Sequence, residues 1–214
     1  MRQAVSRGDL RMLYIKLLSK EIKHRLVLLI IATIAFVLMF HLNGCTVGRM
    51  EYGYMLLALV ACAIILSEDE IDFLIIGHIQ LSKVFAIRFI ASYISVALIP
   101  MFWIFLFTKE PRPIKAVFAF AVTVLIIASI GSFFRVVLKS SLAAMIFALI
   151  AFTILLFTAE FGVFSPFNAM SIANIKTFYL NRCVWIGIST ILITLSCLIL
   201  SRQDRYKKKH YLLS

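Results

Sequence analysis

Long runs of apolar residues, broken only by short polar stretches, govern what this chain can become. The runs lie at about Leu26 to Leu42, Tyr54 to Leu66, Val84 to Phe107, Ile114 to Phe134, Leu142 to Phe157 and Cys183 to Leu200. A soluble domain needs roughly a quarter of its residues charged, whereas here 15% are charged and 63% hydrophobic. With a mean hydropathy of +1.02, the chain reads as an integral membrane protein. Crossing a hydrocarbon core of about 30 Å takes about 20 apolar residues in a helix, so 214 residues leave room for six spans joined by short loops. The runs are rich in Leu, Ile, Phe and Ala and do not alternate, which points to helices and away from a transmembrane barrel. The expected fold is all-α: a polytopic membrane protein with six transmembrane helices.

Flanking charge sets an orientation. With the N-terminus in the cytoplasm, every Lys and Arg except Arg49, Lys109, Arg112, Lys115, Lys176 and Arg182 lies on the cytoplasmic side. The positive-inside rule therefore puts both termini there. The net charge of +12 becomes a basic surface facing anionic lipid headgroups, and a nucleic-acid partner is not expected. The charged first 25 residues argue against a cleaved signal peptide. Cys45, Cys62, Cys183 and Cys197 show no metal-ligand spacing, so no metal site is expected. Cys62 and Cys197 sit in apolar runs, while Cys45 and Cys183 both fall near the outer face, where a disulfide has room to form.

Two segments outside the runs are amphipathic. In 1–25, "GDLRMLYIKLLSKEIKHR" sets Leu10, Leu13, Tyr14, Leu17, Leu18 and Ile22 on one stripe, the pattern of a helix lying in the cytoplasmic interface. In 159–182, Phe161, Phe164 and Phe167 recur at helical spacing beside Pro166, which reads as an outer excursion packed on the bundle or dipping into the leaflet. The transmembrane domain would thus occupy 26–200 and a basic cytoplasmic tail 201–214.

The loop 67–83, "SEDEIDFLIIGHIQLSK", is the least ordinary stretch. Glu68, Asp69, Glu70 and Asp72 follow a span without helping to orient it. The apolar patch behind them is far too short to cross a bilayer. As a short helix it clusters Leu74, Ile75, His78 and Ile79 on one face. Such a face either docks another protein or sinks into the headgroup layer.

This combination resembles the permease subunits of ABC type-2 transporters, the exporter class of ATP-binding-cassette systems. In that family an acidic cluster is followed by Glu, a few apolar residues, Pro, a small polar residue, a basic residue and a Lys entering the next span. Here Asp72 stands at the Glu position, Leu74 to Ile76 at the apolar run, Lys83 supplies positive charge and Arg88 falls where the Lys would be. His78 replaces the usual Pro, and Asp69 with Glu70 replace a common Gly-Thr pair. The ending "YLNRCVWIGISTILITLSCLILSRQDRYKKKH" is similar to the family's Asn-Arg entry into a last span with a basic tail. The resemblance implies that Phe73 to Lys83 is a coupling helix seated in a separate ATPase subunit. It implies that a second permease, a copy or a paralogue, completes the translocation pathway. ATP and Mg would be bound by the partner, with no cofactor in this chain, and the cargo would be peptide-like or amphipathic. The sequence itself has no G-x-x-x-x-G-K-[ST] phosphate loop; Gly44 and Gly48 are wrongly spaced for one.

Arg88, about one turn inside a span, is expected to snorkel to the headgroups or to pair with an acid such as Asp72. Ala128, Gly131, Ser132, Ala144, Ala148 and Ala151 are small residues suited to close helix packing or to a permease contact. His41 and His78 read as interface residues rather than proton relays. The rival readings are an intramembrane hydrolase or protease using the Glu68/Glu70 cluster and a membrane scaffold that does not transport. The first lacks a matching His on another span.

Overall fold

The computed structural model describes residues 29–47, 57, 80–157, 172 and 174–213. They form five helices: α1 (Leu29–Leu42), α2 (Leu81–Phe107), α3 (Pro113–Leu138), α4 (Ser141–Phe157) and α5 (Ile175–Leu213). The interfacial helix expected in 1–25, the run Tyr54 to Leu66 apart from Leu57, the loop from 67 to 79 and the segment from 159 to 171 lie outside the described residues.

The helix starts follow from local chemistry. Pro113 opens α3, where its missing N–H costs nothing and its fixed φ suits the first turn. Ser140 caps α4 by accepting the Ala143 N–H at 3.4 Å, and Asn174 caps α5 by accepting the Lys176 N–H at 2.9 Å. At the end of α1 the Cys45 N–H returns to the Phe40 carbonyl at 2.9 Å and the Gly44 N–H to that of His41 at 3.1 Å. This is a Schellman close, and Gly44 supplies its left-handed position at φ +71°.

The expectation of six transmembrane helices is not met. Among the described residues three of the five helices, Leu81–Phe107, Pro113–Leu138 and Ile175–Tyr206 within α5, are long and apolar enough to cross a membrane. Leu29–Leu42 of α1 and Leu142–Leu155 of α4 are shorter apolar helices among the described residues. In α5 the helix outruns its apolar run on both sides, because Lys, Leu, Arg and Gln there are good helix formers. The all-helical character and the several long apolar helices are those of a multi-pass membrane protein.

Helix α3 is the axis of the bundle. It packs against α2, α4 and α5, and 61% of its apolar window is buried, against 33% for α2 and 17% for α5. Small residues permit this. Ala116, Ala119, Ala128, Gly131 and Ser132 on α3 and Ala144 and Ala148 on α4 are all buried, so the small-residue pattern serves packing within the chain. Phe36 of α1 fills the space beside Phe120, ring centroids 5.3 Å apart, and the Tyr93 hydroxyl on α2 donates to the Ala121 carbonyl at 2.8 Å. Leu98, Phe102, Leu142 and Ile191 point outward. An apolar exterior around a close-packed interior is what lipid requires. Hydroxyls at Ser95, Thr123, Ser129, Ser132, Ser189 and Ser196 bond carbonyls in their own helices, so no water is needed to satisfy them.

Candidate functional site

The loop expected at 67–83 gives way to helix already at Leu81, so Leu81 to Lys83 belong to the first turn of α2. Of the expected coupling residues, Lys83 and Arg88 lie among the described residues, whereas Glu68, Asp69, Glu70, Asp72, Leu74, Ile75, His78 and Ile79 lie outside them. Leu81, Val84, Phe85, Arg88 and Phe89 are all buried, a stripe at the helical period that seats the start of α2 in the core. Lys83 is exposed. Five residues at about 100° each place it on the other side of the helix from Arg88, so the structure does not bring these two together. Arg88 does not reach out to the headgroups as expected: it is 2% exposed, enclosed by the bundle. Nearby, the Cys197 thiol of α5 donates to the Ser82 carbonyl at 3.8 Å, which joins the far end of α5 to the first turn of α2. Asp204, two turns further along α5, is also buried.

At the opposite end lies a cluster that sequence reading placed outside the bundle. Arg182, assigned there to the outer surface, is 0% exposed. Its Nε donates to Asn181 Oδ1 at 2.9 Å, and its Nη1 donates to Thr123 Oγ1 at 3.1 Å and to the Ala119 carbonyl at 3.2 Å. Thr123 in turn donates to that same carbonyl at 2.9 Å. One turn earlier, the ring of Phe178 receives Lys115 Nζ at 4.8 Å from its centroid and Arg182 Cζ at 5.9 Å. Lys115 Nζ also donates to the Ile172 carbonyl at 2.9 Å. Carbonyl, hydroxyl and amide dipoles and one aromatic face thus help to hold two cations between α3 and α5. Such an arrangement fixes the register of two helices and raises the local positive potential. In the sequence Arg182 stands at the edge of the apolar run that begins at Cys183, which gives no sign that α5 begins at Ile175 and carries it into the bundle.

A third cluster closes the same end between α1 and α2. Trp103 Nε1 donates to His41 Nε2 at 3.1 Å, so a neutral His41 carries its proton on Nδ1, 3.5 Å from the Cys45 sulfur. The Cys45 carbonyl accepts the Lys109 N–H at 3.0 Å and the Thr108 hydroxyl at 3.3 Å. Trp103 and Phe107 lie 4.6 Å apart, an aromatic cluster of the kind found where a helix meets the headgroups. Cys45 and Cys183 are both free thiols, so the disulfide for which there was room is not formed. No group of three or more His, Cys, Asp or Glu side chains that could hold a metal ion occurs among the described residues. Comparison of the chain with family models, curated proteins and solved structures finds no match.

Proposed function

We propose that this chain is the permease subunit of an ATP-driven exporter, forming half of a translocation pathway and taking its energy from a separate ATP-binding-cassette ATPase. It would sit in the cytoplasmic membrane with both termini inside, beside a second permease copy or paralogue. The resemblance of the acidic loop and of the chain's ending to ABC type-2 permeases motivates this reading. The observation that supports it most is the seating of α2: the residues that follow the loop at once, Leu81, Val84, Phe85, Arg88 and Phe89, are locked into the bundle. A push on the loop would reach α2 as a rigid lever, because packed interiors shift as units and do not absorb strain continuously. A mostly apolar bundle suits a peptide-like or amphipathic cargo better than ions or sugars.

The test is copurification. The tagged chain, extracted from its native host in mild detergent, brings down a soluble subunit with vanadate-sensitive ATPase activity. The double variant Ile75→Asp/Ile79→Asp loses that subunit while keeping its own fold. A well-folded parent chain that brings down no ATPase would refute the proposal.

A further inference from the structure

We infer that the turn of α5 carrying Arg202 and Arg205 forms an anionic-lipid site, with the phosphate of a lipid headgroup as its ligand. The inference stands apart from any coupling to an ATPase. Helix α5 runs without a break from Ile175 to Leu213, while its apolar run ends at Leu200. Arg202 and Arg205 therefore follow the end of the apolar run by two and five residues, within about one and a half turns, which sets them at headgroup depth. Lys207, Lys208 and Lys209 follow directly in the sequence, about one turn further on.

The sign of the exposed surface is set by one burial. Asp204, the sole acid of this stretch, is 8% exposed and faces the bundle, while Arg202 and Arg205 are exposed on either side of it. The turn therefore presents cations outward and withdraws its counter-charge. Tyr206, 69% exposed, adds an amphipathic ring of the kind that settles at a membrane–water interface. An acidic protein would have to reach down into the headgroup layer to meet these guanidinium groups, whereas a lipid phosphate is already at that depth. Guanidinium and phosphate pair through two parallel N–H···O bonds, so the chemistry matches as well as the depth.

Lipid selectivity at this turn is the test. Tyr206→Trp in a Trp103→Phe/Trp185→Phe background gives one reporter, and the full chain is reconstituted in vesicles containing brominated phosphatidylglycerol or brominated phosphatidylcholine. Quenching should show a preference of at least about fivefold for the anionic lipid, the effect of one well-placed cation. That preference should collapse to near unity in Arg202→Gln/Arg205→Gln/Lys207→Gln/Lys208→Gln/Lys209→Gln. Because the tryptophan changes can disturb the fold, retention of the two lipids by the unaltered chain is measured as well, by mass spectrometry from equimolar mixtures, with the same preference expected. Equal quenching and equal retention would overturn the proposal, as would a preference that survives removal of all five cations. Loss of the preference on adding inorganic phosphate at constant ionic strength would overturn the assignment to a lipid.

Discussion

Thr123→Val is the most informative single change in the buried arginine cluster. It keeps the shape of a fully packed side chain but removes the hydroxyl that accepts from Arg182 Nη1 at 3.1 Å and donates to the Ala119 carbonyl at 2.9 Å. That carbonyl keeps its second donor, Arg182 Nη1 at 3.2 Å, so the lost interaction is chiefly the one between hydroxyl and guanidinium. Hydrogen bonds between membrane helices average about 0.6 kcal/mol and reach about 1.7. A charged donor and a site with Arg182 0% exposed put this one at the upper end, about 1–1.7 kcal/mol. A double-mutant cycle with Arg182→Met isolates the pairwise term. The assay is reversible unfolding in mixed detergent and SDS, read from Trp185 fluorescence one turn from Arg182. Thr123→Ser keeps the hydroxyl and should cost less, about 0.8 kcal/mol for the lost methyl. Thr190→Val serves as control, since that exposed hydroxyl bonds only its own helix at Ile186. A coupling energy within about 0.3 kcal/mol of zero, or a Thr123→Ser loss as large as that of valine, would show that the hydroxyl does not hold Arg182.

Other outcomes follow from the same geometry. Gly44→Ala should destabilise the chain by about 1 kcal/mol in the same unfolding assay, because its backbone is left-handed at φ +71° although nothing lies within 4 Å of an added Cβ. Gly187→Ala, in open space on α5, should be neutral or stabilising by up to about 1 kcal/mol through helix propensity. Phe85→Ala, at a side chain 0% exposed, should cost about 3–5 kcal/mol and, under the proposed function, uncouple ATP turnover from transport without releasing the ATPase. Alkylation of the denatured, unreduced chain should modify Cys45 and Cys183 completely, with no further uptake after reduction.

The apolar runs were legible because hydropathy and polar punctuation are local properties. Expected runs ending at Leu42 and Phe107 end on the same residues as α1 and α2. Their number as membrane crossings was not legible, because a run of apolar residues does not state how much of the chain around it becomes helix: α5 continues through polar residues at both ends. Positions of charge relative to the bundle were also hidden. Arg88 and Arg182 stand at the ends of apolar runs, where a sequence reader sends long basic side chains to the headgroups. Their burial depends on which helix face meets α3 or the neighbouring core, a three-dimensional fact. The capping residues Pro113, Ser140 and Asn174, by contrast, act on their own first turns and could have been read directly.

Under the proposed function, force applied at the loop is carried into the bundle by α2. This transmission is tested most directly in the copurified complex, with spin labels at Lys83→Cys and Ile114→Cys in a background free of native cysteines. Both positions are exposed, one in the first turn of α2 and one in the first turn of α3. Their separation is measured by pulsed electron resonance before and after trapping with ATP and vanadate. A shift of more than about 2 Å on trapping, lost in Phe85→Ala, is the predicted result. An unchanged distance in a complex that still hydrolyses ATP would mean that α2 does not carry the motion.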